Sequence, residues 1–272
     1  MDLGLQGKHA IVTGGSRGIG KAIARELARE GVDVAIVARN KTDFEVAARE
    51  LAAETNRRIL PLVADVTSKD QVDRMVADAA QQLGGVHILV NSGSAPGGSA
   101  SATGPIESVV DEDLLQDFNI KYVGALRCSR AVIPFMKKEN WGRIINISGA
   151  NARNAGNLSG GARNGALVHM TKTLAVQLGR YGITVNCIHP GTTRTERTPS
   201  LLAARAKQLG VSAEEAERQD FAPDSARGNA ICRMVDASEI AFVTAFLASE
   251  KAWAVSGELV AATGGAGRNV YY

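Results

Sequence analysis

Four glycines in the stretch Thr13-Gly14-Gly15-Ser16-Arg17-Gly18-Ile19-Gly20 have a spacing that can do chemistry. A short apolar run (Ala10, Ile11, Val12) leads into them, and apolar residues then step by four from Ile19 through Ile23 to Leu27. The run reads as a buried strand and the stepping as one face of a helix. Strand, glycine turn and helix in that order let a backbone approach a pyrophosphate and let the helix pack closely on the strand. The start of the helix then offers free N–H groups and the positive end of its dipole to the phosphates. The chemistry indicated is dinucleotide binding, with Gly14, Ser16, Arg17, Gly18 and Ile19 as candidate contacts.

The elements that must hold this loop follow in alternation. Further buried strands are predicted over 32–38, 59–64, 86–90, 144–147, 183–188 and 258–261. Between them lie helical patterns: one through Phe44, Ala47, Ala48 and Leu51, and one through Val72, Met75, Val76, Ala79 and Leu83. The second is opened by Ser68 and stopped by Gly84-Gly85. A long helix is expected over 111–138, with Pro134 bending or crowding its last turn, then helices over 162–178 and 238–247. Residues 91–104, rich in Gly, Ser and Ala, read as a loop beside the site. Residues 192–235 show two short helical patterns, near 201–208 and 213–219, and read as a segment covering the substrate.

This alternation predicts an α/β chain with a Rossmann-type, doubly wound parallel sheet of about seven strands in three α/β/α layers. A single domain over 1–272 is expected, with ligand at the carboxyl ends of the strands where the strand order reverses. The 31 basic and 28 acidic residues leave a formal charge of +3 and are scattered, which argues against nucleic acid as a partner. No apolar run is long enough for a bilayer, and the early first strand leaves no room for a secretory signal. Cys128, Cys187 and Cys232 lie far apart without metal-ligand spacing, so reduced thiols, a cytoplasmic location and no metal are expected.

Over essentially its whole length the chain resembles the short-chain dehydrogenase/reductase family. The glycine stretch fits that family's TGxxxGxG loop, and Asp65-Val66 falls where the family places an acid that touches adenine. Asn91-Ser92-Gly93-Ser94 is similar to its NNAG segment, which adds Asn91 and Gly93 to the cofactor contacts. Asn119 falls where the family carries an active-site asparagine. Pro190-Gly191-Thr192-Thr193-Arg194-Thr195 fits PGxxxT, which implies Pro190, Gly191, Thr193 and Thr195 at the nicotinamide end. The resemblance also implies a homotetramer or dimer packed through the long helices. Separately, the tail over 264–272, with its terminal Tyr271-Tyr272, is a segment that could reach a neighbour.

Charge speaks to cofactor choice. An NAD site uses a carboxylate near the end of the second strand to hold the ribose 2′-OH. Here that strand ends Val37-Ala38-Arg39-Asn40, with no acid. Arg39, beside Asn40, offers a planar permanent cation suited to a 2′-phosphate, and Arg17 can supply a second. NADP(H) is favoured and NAD(H) stays open.

The resemblance breaks at the chemistry it implies. The family's serine position is Gly149, its tyrosine position Gly160 and its lysine position Asn164, and no tyrosine lies between Tyr122 and Tyr181. A positioned general acid contributes roughly 10²–10⁴-fold, about 3–5 kcal/mol of barrier. Hydride delivery does not itself require a phenol, so an already electrophilic substrate such as an iminium or quinone-like ring stays within reach. Ser148, beside the serine position, and His189, at the end of the sixth strand, are the candidate substitutes. Ser159 and Arg163 form a shifted i, i+4 pair that could orient a carboxylate but not shuttle protons, and His169 is expected to face the core. Arg194, Arg197, Arg205, Arg218 and Arg227 in the covering segment hint at an anionic or polar substrate. Two readings follow: an atypical NADP(H)-dependent oxidoreductase of a small substrate, or a non-catalytic NADP(H)-binding sensor.

Overall fold

The computed structural model describes residues 1–39, 41–94 and 97–267. In β1 (His9–Thr13), Ala10 and Val12 pack on one side of the sheet and Ile11 on the other, the two-residue period of a strand. The chain continues through α1 (Gly18–Arg29), β2 (Asp33–Ala38), α2 (Lys41–Thr55), β3 (Ile59–Val63), α3 (Lys69–Leu83) and β4 (Ile88–Asn91). The Ser68 hydroxyl accepts from the Gln71 N–H at the start of α3, and Gly84 (φ 94°) ends it in the left-handed region, as the sequence predicts.

The long helix does not run unbroken. It comprises α4 (Asp111–Phe118), a π-helical turn over Asn119–Val123, and α5 (Gly124–Lys138), which accommodates Pro134 inside it. The irregularity therefore falls over 119–123 and not at the proline. Next come β5 (Gly142–Ile147) and α6 (Leu158–Leu178). Helix α6 starts four residues before the expected 162, because Asn157 caps it by accepting the Gly160 N–H at 2.6 Å.

β6 (Ile183–Pro190) ends two residues beyond its predicted end and so carries His189 within the strand. The stretch after it holds β7 (Thr193–Arg194), α7 (Thr198–Leu209), α8 (Ala213–Asp220) and β8 (Val235–Asp236). The two-residue strands β7 and β8, which no pattern announced, pair in parallel and close its base. Helix α9 (Ala237–Ala248) and β9 (Leu259–Ala262) complete the described chain.

Among the described residues the main sheet has seven parallel strands in the order β3-β2-β1-β4-β5-β6-β9. One face is covered by α1, α2 and α9 (Ile23, Leu27, Phe44, Leu51, Ile240). The other is covered by α3, α5 and α6 (Val72, Met75, Cys128, Val132, Leu167). Burial on both faces explains the near-continuous apolar strands. The order reverses between β1 and β4, so a crevice opens there, above the strands' carboxyl ends.

Candidate active site

The two sides of the crevice are tied by Thr13. Its hydroxyl oxygen accepts from the N–H groups of Ser92 (3.1 Å) and Gly93 (3.0 Å), joining the end of β4 to the end of β1. Gly14 sits at φ +68°, and a side chain there would begin 3.0 Å from the Ser92 carbonyl oxygen. At Gly20 a Cβ would stand 2.2 Å from the Gly14 oxygen, so the turn closes only with glycine.

The 190–195 motif comes down onto this loop. Thr195 lies 3.5 Å from where a Cβ of Gly18 would be, and the Gly18 N–H donates to Glu196 Oε2 at 2.8 Å. A carboxylate thus already stands at the start of α1, where free N–H groups favour an anion. Ser16 and Ile19 are half-buried beside it, and Arg17 and Arg39 are exposed. Asn40 lies outside the described residues, as do Tyr271 and Tyr272.

The remaining cofactor candidates divide. The Asp65 carboxylate accepts from the Thr67 N–H (2.9 Å) and hydroxyl (2.8 Å), so one of its oxygens is held by its own turn. The Val66 side chain packs against Gly124, where a Cβ would come within 2.8 Å of it. Asn91 points into the sheet and corrects the expected role of its side chain. Its Nδ2 donates to Asn146 Oδ1 (2.9 Å), and Asn146 in turn donates to Thr171 Oγ1 (2.9 Å). That amide ties β4 to β5, and the backbone of Ser92 and Gly93 faces the glycine loop. Gly191 has no room for a side chain against Thr263, and Thr193 donates to the Gly191 carbonyl at 2.7 Å. Pro190 closes β6 beside it.

The three candidate catalytic residues do not form a proton-transfer group. Asn119 is turned away: its Oδ1 accepts from Arg127 Nη1 at 2.9 Å. The Ser148 hydroxyl donates to the Asn164 carbonyl at 3.0 Å and anchors β5 to α6. His189 is fully buried, and neither ring nitrogen has a hydrogen-bond partner among the described residues. Burial first, and then the charges of Arg153 and Lys121, bring its imidazole down to about 4, so it is neutral at physiological pH. Gly149 lies just past β5, and Gly160 and Asn164 lie in the first two turns of α6. A Cβ on Gly149 would meet Asn164 Nδ2 at 2.8 Å, and one on Gly160 would meet Asn157 Oδ1 at 2.8 Å.

Ser159 and Arg163 converge on Asp117. Ser159 donates to its Oδ2 at 2.6 Å, Arg163 stands 3.8 Å away, and the Ser99 N–H and hydroxyl also bind it. Burial pushes the Asp117 carboxyl up, but these donors more than offset it and hold the group below the usual range. The pair is thus a clamp between α4, α6 and the 97–103 loop. His169 is exposed, contrary to expectation.

Lys121, in the π turn, reaches the carboxyl end of β5. It is 9 % exposed, and its ammonium donates to the Ser148 carbonyl at 3.3 Å. Burial and the nearby Arg163 charge bring its pKa down to about 8. One signal could have found it: Asp117, Lys121, Ala125 and Cys128 share a helical stripe, and Asn119 is off it.

A family model described as short chain dehydrogenase matches residues 8–206. The chain belongs to this family. The short-chain reductase protein NovJ of Streptomyces niveus is 34 % identical to it, with 94 % of this chain and 92 % of that protein covered. The NADPH-dependent reductase BacG of Bacillus subtilis is 31 % identical, covering 97 % and 99 %. In three dimensions the chain is similar to L-sorbose reductase from Gluconobacter frateurii, solved with NADPH and L-sorbose. The TM-score is 0.88 at 30 % identity, over 97 % of this chain and 98 % of that one. The Rossmann-type parallel sheet is common to both, and the chain is of the oxidoreductase kind.

Proposed function

We propose that this chain is an NADP(H)-dependent reductase of a small polar or activated substrate, working without the phenolic acid of its family. The observation that carries the reading is the glycine loop with Thr195 over Gly18 and the Glu196 carboxylate on its N–H. BacG is named NADPH-dependent and the sorbose reductase was solved with NADPH, which supports the same cofactor here. Bound in the crevice, NADPH supplies a hydride. Gly14, Ser16, Gly18 and Ile19 would hold its diphosphate, and Arg17 and Arg39 the 2′-phosphate. Asp65 and Val66 would hold the adenine, with Gly93, Pro190, Gly191, Thr193 and Thr195 at the nicotinamide end.

Residues 192–235 cover the substrate in this reading, on a base closed by β7 and β8. Of the six arginines there, Arg233 pairs with Glu239 on α9 and four pair within the segment: Arg194 with Glu217, Arg205 and Arg227 with Asp220, and Arg218 with Glu215. Their charge is neutralised within the segment, which weakens the case for an anionic substrate. Exposed Leu115 on α4 and Val176 on α6 support a homo-oligomer packed through those helices. Among the described residues no helix is long and apolar enough to cross a membrane. The three free cysteines suit a reducing, cytoplasmic compartment.

Fluorescence titration of the purified protein with NADPH and NADH tests the cofactor. A charge-assisted hydrogen bond contributes about 1.5–3 kcal/mol, so NADPH should bind about tenfold tighter or better. Equal affinities would remove Arg17 and Arg39 from the account, and no binding of either would remove the reading.

A further inference from the structure

We propose that Lys121 hands the proton to the substrate oxygen, standing in for the absent tyrosine from the opposite wall of the site. The inference rests on the reductase reading above and extends it to plain ketones and aldehydes. Its first support is position. The π turn brings Lys121 to the carboxyl end of β5, where Nζ lies 3.3 Å from the carbonyl of Ser148. The next residue is Gly149, the family's serine position, flanked by the Asn164 amide. The place a Gly149 side chain would take is filled by the Asn164 amide, and Lys121 brings a charged group to the same end of β5. A lysine from α6 is missing there, and one from the π turn has come in.

The second support is electrostatic isolation. An ammonium has three donors, and among the described residues Lys121 uses one, on the Ser148 carbonyl, and forms no ion pair. Charged or titratable groups face it from each neighbouring element. On α6 stands Arg163, of like charge. On β6 are Cys187, a thiol that burial pushes up to about 11, and neutral His189, beyond which lies Arg153. Asp117, one turn earlier on its own helix, is held by Ser99, Ser159 and Arg163. A buried cation left without a counter-ion points to a functional site more than to a structural one.

The step balances. As hydride reaches the carbonyl carbon, the C=O π pair moves onto oxygen. An N–H bond of Lys121 then breaks, an O–H bond forms, and the neutral amine is recharged from solvent. Arginine keeps the positive charge but stays protonated, so Lys121→Arg separates charge from proton transfer.

The experiment compares wild type, Lys121→Arg and Lys121→Met by three readouts: NADPH affinity by fluorescence, ketone and quinone reduction across pH, and the 13C shift of labelled lysine ε-carbons. Expected are NADPH affinity within a few-fold of wild type and a loss of ketone reduction of roughly 10²-fold or more in both variants. The loss with a quinone, whose reduced oxygen can take its proton from water, should be at least about tenfold smaller. Wild-type kcat/KM for the ketone should fall as pH rises through about 8, in step with a lysine resonance that both variants lack. Unaltered ketone reduction in Lys121→Arg, or a Lys121 resonance titrating at the ordinary lysine value, overturns the proposal and leaves the reductase reading standing. A loss confined to NADPH affinity also overturns it, making Lys121 a cofactor anchor. Failure of the wild type to bind or oxidise NADPH defeats the reductase reading itself.

Discussion

Keeping a lysine ammonium buried beside Arg163 costs stability that a neutral side chain of similar shape would not. An ion taken into a protein interior carries a desolvation penalty that an apolar side chain does not. Lys121→Met should therefore raise stability in urea melts while lowering turnover, and a destabilised Met variant would argue for a structural role. The pH dependence follows with its sign. Lys121 in the folded chain titrates near 8, brought by burial below the ordinary lysine value of 10.5, so between those values the unfolded chain binds more protons. Stability should rise across that window, and Lys121→Met should flatten the rise. His87 and His189, both brought down to about 4 chiefly by burial, act at the acid end. Their contribution is complete above about pH 6.5 and is lost as pH falls toward 4, because the unfolded histidines protonate first. Urea melts between pH 7 and 4.5 should show this decline, and a flat profile would contradict the buried, neutral assignment of these rings.

At the scale of elements, the site depends on where local rules hold and where they yield. The glycine turn, the Ser68 cap and the Gly84 stop were legible because each is decided by a few adjacent residues. The π turn was not, because a period of 3.6 carried straight through 111–138 hides one wide turn. Counting along the family pattern led to Asn119, whereas the wide turn presents Lys121 to the strand ends and leaves Asn119 beside Arg127. The early start of α6 escaped for a related reason, since its cap is Asn157 within a run of Asn and Gly. Two substitutions probe these elements. Glu196→Ala removes the carboxylate resting on the Gly18 N–H. Such a contact is worth about 0.3–1 kcal/mol, so NADPH should bind roughly two- to fivefold tighter, and weaker binding would mean that Glu196 assists the cofactor. Asp117→Ala removes the buried carboxylate that Ser99, Ser159 and Arg163 share, and should cost about 3–5 kcal/mol in a urea melt.

The whole molecule was legible in outline because two-sided burial dictates it. Seven apolar strands alternating with helices leave little choice but a parallel sheet covered on both faces, with a crevice between β1 and β4. What pattern alone did not yield was which polar side chains face that crevice. Asn91 sits in the family's segment, yet its amide serves the sheet, and His189 ends the right strand, yet lies sealed within it. Exposed Leu115 and Val176 predict a dimer or tetramer in size-exclusion chromatography; a clean monomer would withdraw the packing of α4, α5 and α6 between copies.

The central claim is that this cradle still delivers hydride although Gly160 and Asn164 replace the usual tyrosine and lysine. It is tested most directly by following the reduced-nicotinamide absorbance of NADPH when the purified protein is given quinones, iminium compounds and simple ketones. The account predicts steady NADPH oxidation by at least one activated electrophile. Tight NADPH binding with no oxidation by any of them would contradict it and make the chain a nucleotide sensor.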